Sequence, residues 1–413
     1  MRGTRRSAGL TGGLVLLLAL SPTAAHAAPT DPVRDREYWL DDYGIRSAWS
    51  VTRGAGVTIA IIDTGVAGGV AELRGAVVGG TDFSGLGAVD GQTPIGDEGQ
   101  HATLVASLAV GRGTGPGAGV IGAAPEASIL SISVGFGQGA VDPDEQIAAA
   151  VTWAVDHGAD VINMSLTRNT PDWPVSWDEA FRHAAEHDVV VVAAAGNRGS
   201  GTDEVGAPAT MPGVLTVGGV DESGAASGNA SAQGITIGVA APSERLLGVT
   251  PSGRTITWAG TSGATPIVAG VVALVRAAHP DLDVANVINR VVATARDAGP
   301  PGADFTYGFG LVDAAAAVSA DVPAVTANPM GDLADWVRVN RRADARPVPP
   351  ETVAPSPDPA PESWADDPTG TLLPSLVTLQ LVGLPVAVVL VLALGAGGLA
   401  VGAVRRFRPA RSR

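Results

Sequence analysis

Between residues 57 and 295 the apolar positions follow two alternating rhythms. Short, nearly continuous runs rich in Val and Ile occupy 57–62, 128–134, 161–164, 189–195, 214–220 and 235–240. β-Branched runs of this length, bounded by Gly, Asp and Asn, predict strands buried on both faces. Longer segments with helical spacing lie between and after them, at 101–109, 143–156, 177–186, 262–278 and 282–295, with a last short helix at Asp313. Pro143 opens one of them with Asp144 and Glu145 behind it, where carboxylates favour the positive end of the helix dipole. Strands alternating with helices predict an α/β body with a mostly parallel central sheet and helices on both faces. The body so predicted spans residues 28–320 and shows no internal repeat.

The two ends break this rhythm. Arg2, Arg5 and Arg6, the apolar run 14–20 and the small-x-small site Ala25-His26-Ala27 predict a secretory signal peptide over 1–27. The apolar run is shorter than the ~20 residues a span needs, which argues against a retained N-terminal anchor. At the other end, 369–404 carries no charged residue, and Arg405, Arg406, Arg408, Arg411 and Arg413 follow at once. This predicts a transmembrane segment over 371–404 and a basic cytoplasmic tail over 405–413, with the body outside. Between body and span, Pro347, Pro349, Pro350, Pro355, Pro357, Pro359 and Pro361 alternate with small and acidic residues. A Pro-rich extracellular linker over 321–370 is expected, a spacer with no means of building a core.

Composition narrows the chemistry. The chain has 413 residues, 46% hydrophobic and only 16% charged, which suits a compact α/β core. A net charge of −15 excludes nucleic acid as a partner of the body. The absence of cysteine removes disulfides, thiolate catalysis and Cys-based zinc sites. No cofactor or metal is implied, and Asp142-Pro143-Asp144 reads as a helix start rather than half of a metal site.

In a parallel sheet, chemistry collects beyond the carboxyl ends of the strands. Asp63 ends the 57–62 run, where a carboxylate is either a turn residue or a member of a site. His101 opens an apolar helix after a loop rich in Gly and Asp, whereas His157, His183, His187 and His279 fall near helix ends. Asn197 follows a strand and a glycine; it suits either a left-handed turn or an amide donor to a developing oxyanion. In Gly260-Thr261-Ser262-Gly263-Ala264-Thr265-Pro266 a sharp turn opens a buried helix, with Pro266 expected in its first turn. Ser262 there is either a helix cap or a nucleophile beside backbone donors.

The local sequence around these four residues resembles the signatures of subtilisin-like serine proteases. They are Ile61-Ile62-Asp63-Thr64-Gly65-Val66, His101-Ala102-Thr103-Leu104-Val105-Ala106, Ala194-Ala195-Gly196-Asn197 and Gly260-Thr261-Ser262. The resemblance spans roughly 38–317, and the order Asp, His, Ser is that of subtilisins. It implies Ser262 as nucleophile, His101 as general base and then acid, and Asp63 as the group that orients the imidazole. Asn197 and the Ser262 N–H would bind the oxyanion. A peptide substrate would pair with edge strands near 131–135 and 165–167, which nominates Ser133, Gly135, Ser165 and Leu166 as substrate-binding.

The signal peptide, the Tyr38-Trp39-Leu40 lead-in, the Pro-rich spacer and the C-terminal span resemble the mycosins, membrane-anchored subtilases associated with type VII secretion. That resemblance implies a protein or peptide substrate, a membrane location and a type VII secretion complex as partner. Leu104, where many subtilases carry a second histidine, also looks mycosin-like, whereas Gln100 and Ala102 depart from the pattern around the histidine, as do Gly263 and the missing cysteines. Two other function classes are open. His183-Ala184-Ala185-Glu186-His187 matches the H-x-x-E-H pattern of a zinc peptidase, and the body could serve as a silent scaffold.

Overall fold

The computed structural model describes residues 31–136 and 141–341; the expected signal peptide, Pro-rich stretch, membrane span and basic tail lie outside them. Two short helices, α1 (Trp39–Asp42) and α2 (Ile45–Ala48), precede β1 (Thr58–Asp63) and β2 (Val77–Asp82). Then come α3 (His101–Val110), β3 (Ser128–Ser133), α4 (Pro143–Asp156), β4 (Val161–Met164) and α5 (Val175–Glu186). Three more strands follow: β5 (Val190–Ala194), β6 (Leu215–Val220) and β7 (Ile237–Pro242). A pair, β8 (Leu246–Val249) and β9 (Thr255–Trp258), leads into α6 (Thr261–Ala278), α7 (Val284–Ala293), α8 (Ala314–Ser319) and α9 (Leu333–Asn340).

Seven strands form one sheet in the order β2-β3-β1-β4-β5-β6-β7, and every pairing in it is parallel. Two-sided burial explains the near-continuous apolar runs. In β1, Ile59 and Ile61 join the core layer of α1, α2, α3, α6, α7 and α8, while Ala60 and Ile62 join that of α4 and α5. The same period of two places Val190 and Val192 on the first face of β5 and Val191 and Ala193 on the second.

Chain direction across the sheet reverses at β1, which pairs β3 on one side and β4 on the other. Crevices at such switch points, beyond the carboxyl ends of the strands, are where α/β proteins bind ligands. α6 runs through the core beneath this crevice, buried from Gly263 to Val275. Among the described helices it alone is long and apolar enough to cross a membrane. Yet 78% of its apolar window is enclosed by the protein, so it is a core helix.

Several elements differ from the pattern-based expectation. β2 and the antiparallel β8–β9 pair were not expected: β2 carries two glycines at its centre and an exposed valine, Val78. The expected spacer begins later than Asp321. α9 folds back onto the body: Leu333 is buried, Trp336 packs on Trp173 at 4.4 Å between ring centroids, and Arg341 meets Asp178 at 2.9 Å. Asp332 caps this helix through the Asp335 N–H, a start signal lost among the surrounding prolines and charges. At the other end, residues 31–49 strap the body, with Trp39, Leu40 and Ile45 fully buried. Glu37 Oε1 accepts the Ile121 N–H at 2.8 Å, and Tyr38 donates to the Glu244 carbonyl.

Candidate active site

Asp63 is the last residue of β1, and its carboxylate is 1% exposed. Burial of a charge demands partners. Its Oδ1 accepts the Thr64 N–H at 2.7 Å, and both oxygens face His101 Nδ1, at 2.9 and 2.8 Å. His101 opens α3, and its side chain keeps 24% of its surface exposed. With Nδ1 held by the carboxylate, Nε2 is the nitrogen left for proton transfer. Burial alone would push the imidazole pKa down. The charge and hydrogen bond of Asp63, with the charge of Glu98, outweigh it, and the pKa lies above its ordinary value.

The serine turn is built by a glycine and an asparagine. Gly260 has φ +139°, and a Cβ there would stand 3.2 Å from Asn197 Nδ2. That φ favours glycine, and the missing Cβ lets the Asn197 amide pack close without having to shift. Asn197 Oδ1 accepts both the Thr261 N–H, at 2.8 Å, and the Thr261 hydroxyl, at 3.0 Å. A backbone N–H can only donate, so this contact fixes which end of the amide is oxygen and leaves Nδ2 as the free donor. Asn197 thus caps the start of α6 and offers its N–H₂ to the crevice.

α6 begins at Thr261, so Pro266 lies in its second turn rather than its first. Proline cannot donate to the carbonyl four residues back, which here belongs to Ser262. Ser165 Oγ supplies that bond instead, at 2.9 Å, and Ser262 Oγ in turn donates to the Ser165 carbonyl at 3.1 Å. Asn163 Nδ2 holds Ser165 Oγ from β4 at 3.0 Å. The nucleophile candidate is therefore clasped to the segment after β4 by two reciprocal bonds.

Asp63, His101, Asn197 and Ser262 share one open groove of about 500 Å³, with Ser165, Leu166, Glu98, Phe136, Ile256 and Trp258 among its walls. Ser133 and Gly135 are not among them. Ser133 is fully buried, its carbonyl taken by the Phe83 N–H, and the Gly135 N–H is taken by Gln146 Oε1. The lining residue on that side is Phe136, 46% exposed, one position beyond the stretch expected to meet substrate. Trp258 and the β8–β9 pair were also missed. The signal was present: 246–258 holds two short β-prone runs around Thr250-Pro251-Ser252-Gly253, directly before the serine turn.

The H-x-x-E-H segment lies on α5, away from the groove. His183 Nε2 meets Asp156 at 2.9 Å and Glu186 pairs with Arg182. Among the described residues no three His, Asp or Glu side chains are placed to hold a metal ion.

Comparison with known proteins identifies the family. The model of the subtilase family, Peptidase_S8, matches residues 54–310. Mycosin-1 of Mycobacterium tuberculosis (strain ATCC 25618 / H37Rv) is 32% identical over 89% of this chain and 85% of its own length. Subtilisin DY of Bacillus licheniformis is 36% identical over 64% of this chain and 92% of its own. Among solved structures, MycP1 from Mycobacterium smegmatis superposes with a TM-score of 0.61 at 30% identity, covering 74% of this chain and 89% of its own. The MycP3 protease from the type VII (ESX-3) secretion system gives 0.60 at 31% identity, over 71% and 91%. The family model and these solved structures extend over the same body that carries the Asp63–His101 pair and Ser262. The chain belongs to the subtilase family and is a mycosin-like serine endopeptidase.

Proposed function

We propose that the chain is a membrane-anchored extracellular endopeptidase working through Ser262, His101 and Asp63, with Asn197 and the Ser262 N–H as the oxyanion site. One observation carries the assignment: His101 Nδ1 lies 2.8 Å from a fully enclosed Asp63 in the groove that also holds Ser262 and the free Asn197 amide. On substrate binding, Ser262 Oγ leaves the Ser165 carbonyl and attacks the scissile carbonyl carbon while His101 Nε2 takes its proton. The oxygen of that carbonyl becomes an oxyanion and draws the Asn197 N–H₂, whose other end is pinned by Thr261. The imidazolium, steadied by Asp63, then protonates the leaving amine as the C–N bond breaks. Water, deprotonated by His101, releases the acyl group from Ser262.

The location rests on the ends of the chain. A signal peptide over 1–27, the proline-rich stretch after α9, the apolar segment 371–404 and the arginine tail at 405–413 support a body outside and a C-terminus in the cytoplasm. Kinship with Mycosin-1 and with MycP3 of a type VII secretion system supports processing of protein substrates at such a system. A catalytically silent scaffold is the second reading, and the intact Asp63–His101 pair speaks against it. Proteolysis of sealed vesicles containing the full chain tests the topology: protease added outside right-side-out vesicles should remove the body and leave 371–413 protected. Protection of the body instead would reverse it.

A further inference from the structure

Trp258 ends β9 and forms a wall of the active-site groove. Its indole meets the His101 imidazole edge to face, with ring centroids 5.9 Å apart and planes at 83°. Two glycines leave open the slot it occupies. A Cβ on Gly263, next to the serine, would stand 2.4 Å from Leu246 Cδ1 and 3.3 Å from Trp258 Cζ2. A Cβ on Gly248 would stand 2.9 Å from both Trp258 Nε1 and Leu104 Cδ2. Leu246 faces Trp258 across the β8–β9 pair, and Leu104 lies one helical turn beyond His101. The indole Nε1 is buried in this slot without a hydrogen-bond partner. A tryptophan seated at the cost of an orphaned donor is held there for the size and place of its ring.

Asp63 restrains His101 at a single nitrogen, which leaves the ring to swing about the axis through Cβ and Nδ1. We propose that Trp258 is the positioning residue that stops this swing: wedged in the Gly248–Gly263 slot, its indole backs the His101 ring and holds Nε2 toward Ser262. Leu104 and Gly263, two positions that depart from the usual subtilase pattern, are then complementary parts of one fitting. The inference rests on His101 acting as the base. The charged groups facing His101 are Asp63 from β1 and Glu98 from the segment before α3, whereas β9 and α6 present the uncharged Trp258 and Ser262.

The test compares Trp258→Ala, Trp258→Leu and Trp258→Phe in the full chain. Each is assayed across pH on one substrate that ends in a small chromogenic leaving group and one peptide that continues past the scissile bond. Trp258→Ala should lower kcat about 10- to 100-fold on both, the loss expected for a base displaced by ~1 Å, with KM little changed. Its acid limb should move up, because losing the indole relieves the burial that disfavours the imidazolium. Trp258→Phe should restore most of the rate and the limb, and Trp258→Leu should not. A loss confined to KM of the longer peptide, with an unmoved limb, would make Trp258 a substrate wall and overturn the proposal. So would wild-type kcat in Trp258→Ala. Should Trp258→Ala not fold, equal rates and limbs for the Phe and Leu variants would overturn it. Failure of the base assignment shows separately, as activity surviving in His101→Ala.

Discussion

At the scale of single residues, the account turns on a carboxylate and an imidazole. Asp63→Asn leaves the shape but presents an amide to Nδ1, allowing the wrong tautomer. kcat should fall about 10⁴-fold with KM little changed, measured on a peptide substrate. The pH dependence has a definite sign. Catalysis needs neutral His101, and because its pKa is raised, kcat/KM should climb with pH through a midpoint above the ordinary histidine value of about 6.5. In Asp63→Asn the charge that raises it is gone while burial stays, so the residual acid limb should lie below that of the wild type. A limb that does not move would detach Asp63 from the imidazole. These residues were legible in the sequence because Asp63 stands where an apolar strand stops and His101 where an apolar helix starts, and such boundaries converge at the edge of a parallel sheet. Ser133 and Gly135 misled for a related reason. Burial along β3 identifies strand residues but not where exposure begins: Ser133 is enclosed in the sheet between Asp63 and Asp82, and exposure begins only at Phe136.

At the scale of elements, the serine turn and α6 work as one part. Asn197 holds the first N–H of the helix, Ser165 replaces the bond that Pro266 cannot make, and Gly260 lets the two segments touch. Gly260→Ala should therefore do two things. Forcing a side chain to φ +139° should cost about 1–3 kcal/mol of stability, read from denaturant unfolding. Displacing the Asn197 amide should lower kcat about 10²-fold, near the loss of one oxyanion donor. A stability loss without a rate loss would separate the turn from the oxyanion site. The long buried helices and central strands were readable from periodicity because packing and pattern agree there. β2, the β8–β9 pair and α9 were not. Their order comes from tertiary partners: the β3 edge for β2, the antiparallel pairing that seats Trp258 for β9, and the Trp173–Asp178 surface for α9.

At the scale of the whole molecule, the N-terminal strap is docked through a buried acid. Burial raises the Glu37 pKa to about 8, against the opposing pull of the Ile121 N–H and Arg34. Its folded value therefore lies above its unfolded value, so the fold binds this proton more tightly. Stability from this group is full below about 4.5 and is lost as pH rises through 8. The thermal midpoint of wild type relative to Glu37→Gln should fall between pH 5 and 9; a constant difference would refute a buried, protonated Glu37. The molecule as a whole is an acidic chain whose described body carries Asp63, His101, Asn197 and Ser262 in one groove. Its central claim is that Ser262 is the nucleophile, and covalent labelling tests this most directly. A serine-directed phosphonate should add one adduct per chain, located by peptide mass mapping on Ser262, and Ser262→Ala should take up none. Equal labelling of both proteins, labelling of neither, or an adduct on another residue would contradict the account.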